Sequence, residues 1–362
     1  MTALKARLAA RIAATGPLSV ADYMAACLFD PQDGYYTTRE PFGAGGDFTT
    51  APEISQMFGE LVGVWVVGAW TALGRPLPFR LTEIGPGRGT LMKDMLRVIG
   101  RLAPDLAARL DAVLVEASPR LVEVQRATLA ASPAQVRWLG EPDETPETPG
   151  IVVANELFDA IPCRQFVKTP RGWRERMVAL DGAGDPAFVA GAGGIDAALL
   201  PAGADAAPMG AIFEVSPARE AMMERIADAL RHRPGMALLI DYGHGESGFG
   251  DTLQAVRSHR FADPLAEPGE ADLTSHVDFA PLMRVAERAG LAAALVTQGE
   301  FLLGMGLLER AGTLGAAADA EVRERLASEV ERLAGSQQMG NLFKALIVHP
   351  KNVLAPAMGA SD

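Results

Sequence analysis

The run Glu83-Ile84-Gly85-Pro86-Gly87-Arg88-Gly89-Thr90 sets three glycines at alternate positions, directly after an apolar stretch. Glycine has no Cβ, so such a run lets the backbone turn sharply and come close to a ligand. A helix opening at Thr90 adds unpaired N–H groups and a positive dipole end at the same place. A phosphate-cradling P-loop needs Gly-Lys-Ser/Thr after four intervening residues, and no such sequence occurs. A dinucleotide fingerprint needs a third glycine at position 90, where threonine stands. Two acids accompany the turn. Glu83 precedes it, and Glu116 closes the next apolar run, Val113-Leu114-Val115, with Ala117 beside it. A carboxylate at the end of that second strand can accept both hydroxyls of a ribose.

The actual spacing, Glu-x-Gly-x-Gly-x-Gly, resembles motif I of the class I S-adenosylmethionine-dependent methyltransferases. The resemblance implies S-adenosyl-L-methionine as cofactor, with the loop against its amino-acid end and no metal. It implies contacts from Glu83, Gly85, Pro86, Gly87, Gly89, Thr90, Glu116 and Ala117. A second polar group follows the apolar run Ile151-Val152-Val153-Ala154, namely Asn155, Glu156 and Asp159. Its strand should neighbour the first, across the switch point where α/β sheets bind ligands. Asn155 is expected to reach the cofactor, and Glu156 and Asp159 the methyl acceptor. Alternatively, the two acids cap a following helix. His244, His276 and Asp241 are further polar candidates, and Tyr35 and Tyr36 either stack on a ligand or pack in the core.

These side chains meet only if strands bring them to one edge. From residue 79 apolar runs alternate with helical patterns, predicting strands at 79–83, 112–116, 136–139, 151–155, 236–241, 292–298 and 342–349. Helices are expected to about 101, over about 119–131, and from a Ser216 cap to about 232. The alternation predicts an α/β fold with a doubly wound, mostly parallel sheet over 79–349. Residues 1–78 read as a helical arm, with Leu4, Leu8 and Ile12 at helical spacing and Ser19 capping a helix over 20–29. Thr50 and Glu53 read as a capping box opening a long apolar helix, 51–72. The glycine-rich stretch from Pro41, with Pro52 and Glu53 at the helix start, is expected to close on the cofactor's carboxylate. Two insertions, a β-meander at 164–212 and a polar segment at 243–280, are expected to form a substrate lid. Residues 301–335 read as helical, and 350–362 as a tail.

Composition removes several classes of function. Lys and Arg number 33 against 45 Asp and Glu, for a net charge of −12, so a basic nucleic-acid face is not expected. Two cysteines, Cys27 and Cys163, are too few for a disulfide framework or a multi-cysteine zinc site, and suit a reducing compartment. The longest apolar run, Leu61 to Leu73, is too short to span a membrane. Lys5, Arg7 and Arg11 lie in a helical pattern that begins at Leu4, which reads as a first helix rather than a presequence. The cytoplasm is the expected compartment, or the mitochondrial matrix for a eukaryotic chain.

Several runs together resemble one family, the MidA-like methyltransferases. They are Gly34-Tyr35-Tyr36, Gly46-Asp47-Phe48-Thr49-Thr50-Ala51-Pro52-Glu53, the Glu-Ile-Gly-Pro-Gly-Arg-Gly-Thr loop, Asn155-Glu156-Leu157-Phe158-Asp159-Ala160, Leu239-Ile240-Asp241-Tyr242-Gly243-His244 and Asp272-Leu273-Thr274-Ser275-His276. The resemblance covers about residues 17–349. Its mitochondrial members are protein arginine methyltransferases that assist assembly of respiratory complex I. It therefore implies a protein substrate with arginine as acceptor, and a complex I subunit as partner. A guanidinium is planar and always charged, so paired carboxylates can hold it in a fork. Glu156 and Asp159 are the expected pair. Methylation of a small molecule, or cofactor binding without turnover, are the alternatives.

Overall fold

The computed structural model describes residues 2–38, 50–132, 134–142 and 147–356. The stretch 41–49 of the expected cofactor lid lies outside the described residues, as does the end of the tail. The chain forms two compact units. One comprises Met1–Phe48, Phe158–Ala221 and Glu246–Asp278, the other Thr49–Leu157, Met222–Gly245 and Phe279–Asp362. Residues 49–78 thus cluster with the strands that follow them rather than with the first two helices.

Among the described residues the second unit is built on the strands β1 (Phe79–Ile84), β2 (Leu110–Val115), β3 (Val136–Leu139), β4 (Gly150–Asn155), β5 (Gly235–His244), β6 (Leu291–Thr297) and β7 (Phe343–Pro350). Their order is β6-β7-β5-β4-β1-β2-β3. β3, β2, β1, β4 and β5 run parallel, while β7 is antiparallel to both β5 and β6. The strands read as continuous apolar runs because a parallel sheet is covered on both faces. Order reverses between β1 and β4, which puts the ends of those strands at the switch point.

One face carries α2 (Gln56–Ala72) and α3 (Thr90–Leu102), whose Phe58, Trp65, Val66, Leu91, Met95 and Ile99 join Leu81, Leu114, Val153 and Leu238 in one core. The two helices approach closely at Gly59 and Gly63. A Cβ on Gly59 would stand 2.7 Å from the Cβ of Asp94, and one on Gly63 3.1 Å from the Cα of Met95. Glu60 and Asp94 are buried at this contact, and both are paired. Arg97 donates to Glu60 and bridges to Asp94, and Arg310 donates to both Glu60 oxygens. Unpaired, either carboxylate would be costly there.

The expected helix over 51–72 is two helices. α1 (Ala51–Ile54) ends at Ser55, which is extended (φ −153°, ψ 136°) and caps α2 by accepting from the Met57 N–H. Thr50 makes no side-chain cap bond, so the capping box does not form. Its would-be partner Glu53 instead accepts from the Thr90 hydroxyl. The tertiary bond wins over the local one.

In the first unit, the helices Ala3–Thr15 and Val20–Phe29 bury Leu4, Leu8 and Ile12, and Tyr23, Met24, Cys27 and Leu28, as their spacing predicts. Ser19 caps the second helix. The strands Arg164–Thr169, Gly172–Leu180, Pro186–Gly194 and Ile212–Val215 make an antiparallel sheet, joined at one end by Leu18–Ser19. Gln254–Arg257, Arg260–Ala262 and Asp272–Thr274 form a small second one. Among the described residues no helix is long and apolar enough to cross a membrane.

Candidate cofactor site and acceptor residues

β1 leads into the glycine turn because three positions there need left-handed backbone. Gly85, Gly87 and Gly89 have φ of 69°, 53° and 82°, which only glycine adopts freely. The Gly85 N–H bonds the Val115 carbonyl and the Gly89 N–H that of Pro86, after which α3 starts at Thr90. Pro52, in the first turn of α1, is buried, and Glu53 beside it holds Thr90.

Glu83 lies at 3% exposure, and its Oε2 has no hydrogen-bond partner among the described residues. Burial pushes its carboxyl up to about 8, opposed by a bond from the Met92 N–H. Asn155 has a buried Oδ1 equally without a partner. Glu83 pairs with Val153 in the ladder, so Asn155, two residues on, shares its face of the sheet. Buried acceptors are nearly always matched by donors. Two unmatched ones at the ends of β1 and β4 fit a group rich in N–H donors, such as an amino acid's ammonium.

Glu116 follows β2 directly. Its Oε1 accepts the Ser118 N–H at 2.8 Å and its Oε2 the Gln125 side-chain amide at 3.1 Å. Burial raises its pKa, while the N–H bonds of Ser118, Gln125 and Ala117 oppose the rise. Gln125 escapes a reading of the sequence. It is fully buried in α4 (Pro119–Thr128), one turn after buried Leu121, and that helical spacing was the available signal.

At the end of β4 the chain does not enter a helix. Residues 156–163 are irregular, with bends and one turn at 159–160, and no helix follows, which removes the helix-capping alternative for Glu156 and Asp159. Glu156 takes φ 49°, unusual for a non-glycine, and its Oε1 accepts from the Ala51 N–H and from Asn155 Nδ2. In the first unit, Asp159 is buried with Oδ1 on the Ala160 N–H. Its carbonyl and that of Phe158 accept from Arg219, a buried guanidinium that also donates to Ser275 and to the His276 carbonyl. Arg219 therefore fixes the Asp159 backbone; a lone arginine in a helix gave no sign of this. Tyr35 packs in the core, and the Tyr36 hydroxyl donates to Asp272 at 3.0 Å. Burial, then the Asp272 and Asp159 charges, push the Tyr36 hydroxyl well above its usual range.

A parallel sheet with a glycine turn after β1, an acid after β2 and a polar group after β4 defines a class I methyltransferase. The comparisons agree. The family model for S-adenosyl-L-methionine-dependent methyltransferases matches residues 61–297. The mitochondrial protein arginine methyltransferase NDUFAF7 of Homo sapiens is 34% identical over 384 residues, 97% of this chain and 85% of that protein. Its Drosophila melanogaster homolog is 36% identical, over 96% of this chain and 85% of that protein. A superfamily member from Burkholderia thailandensis, crystallised with S-adenosyl-homocysteine, superposes with a TM-score of 0.86 at 30% identity, covering 99% of this chain and 95% of that one. The chain belongs to this S-adenosyl-L-methionine-dependent methyltransferase family.

Proposed function

We propose that the chain methylates an arginine side chain of a protein. The observation that carries this is the similarity, at 34–36% identity over nearly the whole chain, to relatives named protein arginine methyltransferase. The bound cofactor supplies a methyl group on a sulfonium. Glu83 and Asn155 would receive its ammonium, the glycine turn would lie along its amino-acid end, and Glu116 would take the ribose. On the acceptor side, the sequence resemblance implies a guanidinium-orienting role for Glu156 and, separately, for Asp159. The Glu156 carboxylate is held in one direction by the Ala51 and Asn155 donors. Orientation matters because in-line transfer depends on alignment, and misplacement by about 1 Å can cost ~100-fold in rate. The family resemblance points to a complex I subunit as the protein substrate; the sparse cysteines suit a reducing compartment, the cytoplasm or, in a eukaryote, the mitochondrial matrix. The test is mass spectrometry of methylarginines in a deletion strain, complemented with the wild-type gene. Loss of one or more methylarginine sites, restored on complementation, is expected; an unchanged methylarginine set overturns the proposal.

A further inference from the structure

We infer that Gln125 is a positioning residue of the cofactor site, one that locks the Glu116 carboxylate and the Gly87 turn into the single arrangement that receives the ribose. The inference rests on the reading of Glu116 as the ribose acceptor and goes beyond it. Gln125 spends its side-chain amide on three different elements. Its Nε2 donates to the Gly87 carbonyl at 2.8 Å and to Glu116 Oε2 at 3.1 Å, and its Oε1 accepts the Trp138 indole N–H from β3 at 2.9 Å. The residue is completely buried, where an apolar side chain would fill the space at no cost in desolvation. A Cβ on Gly89 would lie 3.5 Å from the Gln125 Cγ, so the stem of the side chain runs beside the turn that its amide bonds. The amide therefore sets the distance between the glycine turn and the acid of the next strand, the two features that motif I and Glu116 each supply alone.

The lock is also electrostatic. Burial favours the neutral acid at Glu116, and donors to its oxygens favour the carboxylate. Arg120, on the same helix, is the charged side chain that acts on Glu116; the other elements bring the neutral Gln125 amide, the Trp138 indole and the Gly87 carbonyl. Without the Gln125 donor, Glu116 takes up a proton at higher pH, and a protonated Glu116 is a poorer partner for two ribose hydroxyls. The loss of affinity must then grow as pH falls. A purely structural role for Gln125 would give a loss that does not change with pH.

The experiment measures binding of adenosine and of S-adenosyl-homocysteine to the full chain by titration calorimetry, from pH 8 down to pH 5. Adenosine keeps the ribose and lacks the amino-acid end, so Glu83 does not enter its pH profile. Gln125→Met should weaken both ligands about tenfold near neutrality, the value of one hydrogen bond to a charged group. Its ratio to wild type should widen as pH falls and narrow as pH rises. Should Gln125→Met fail to fold, Gln125→Glu keeps an acceptor for Trp138 but can donate to Glu116 only while the new carboxyl holds a proton, so its loss of affinity should instead grow as pH rises. A ratio independent of pH in both Gln125 variants, or wild-type affinity in either, overturns the role of Gln125 while Glu116→Ala still binds weakly. Normal adenosine binding by Glu116→Ala overturns the ribose reading itself, and the inference with it.

Discussion

At the scale of single residues, the site is marked by buried polar groups held in costly states. Glu83 is the clearest, a buried carboxyl with one oxygen unmatched and a pKa near 8. Raised above the unfolded value, it favours the folded, ligand-free chain fully below about pH 4.5. That contribution is lost as pH rises through 8. Glu83→Gln should accordingly flatten the decline in stability of the free protein between those values, read by denaturant titrations across the range. If the cofactor's ammonium meets Glu83, binding at pH 7 must expel the proton Glu83 holds. Calorimetry in buffers of different ionisation enthalpy should show release approaching one proton for wild type and a smaller release in Glu83→Gln; equal release in both would detach Glu83 from the ammonium. On the acceptor side, Glu156→Gln and Asp159→Asn should bind S-adenosyl-methionine normally and lose about 100-fold in single-turnover rate. Near-normal rates in both would remove these carboxylates from the chemistry.

At the scale of elements, the glycine turn has a rigid backing because α2 and α3 lie unusually close. Gly59 is the point of contact. An alanine there gains about 0.5–1 kcal/mol of helix propensity. It also forces a Cβ into 2.7 Å contact with that of Asp94. Overpacking costs about 1–3 kcal/mol, so the clash wins. Gly59→Ala should lower the urea midpoint. Gly100→Ala, in α3 with nothing within 4 Å of its added Cβ, should raise it by the propensity gain alone. A stabilised Gly59→Ala would show that the two helices can move apart freely.

At the scale of the whole molecule, ligand binding and folding are linked. A hundredfold excess of S-adenosyl-homocysteine over its Kd adds about 2.7 kcal/mol to stability. Thermal unfolding should shift upward by several degrees with this ligand and not with NAD. Gly87→Val puts a β-branched residue at φ 53°, where the backbone is strained, and sets a side chain in the turn. It should fold at a lower Tm and show no shift with either compound. A normal shift in Gly87→Val would mean that the turn does not approach the ligand.

The sequence by itself determined the sheet, the glycine turn and the acids before and after it. Each is a local pattern: apolar runs of strand length, glycines at alternate positions, an acid closing a strand. β1, β2 and β4 fall within two residues of where those patterns put them. What only the tertiary structure decided concerns residues whose partners are distant in the chain. Glu53 matches a local capping box yet bonds Thr90, 37 residues away, because a hydroxyl at a helix start outcompetes the backbone N–H it could have reached. Asn155-Glu156 leads into irregular chain rather than a helix, since Glu156 adopts a left-handed backbone and accepts from Ala51 across 105 residues. Gln125 looks like any polar residue on a helix until folding buries it between three elements. A polar side chain becomes specific only when burial leaves it a fixed set of partners, and periodicity carries no record of which partners those are.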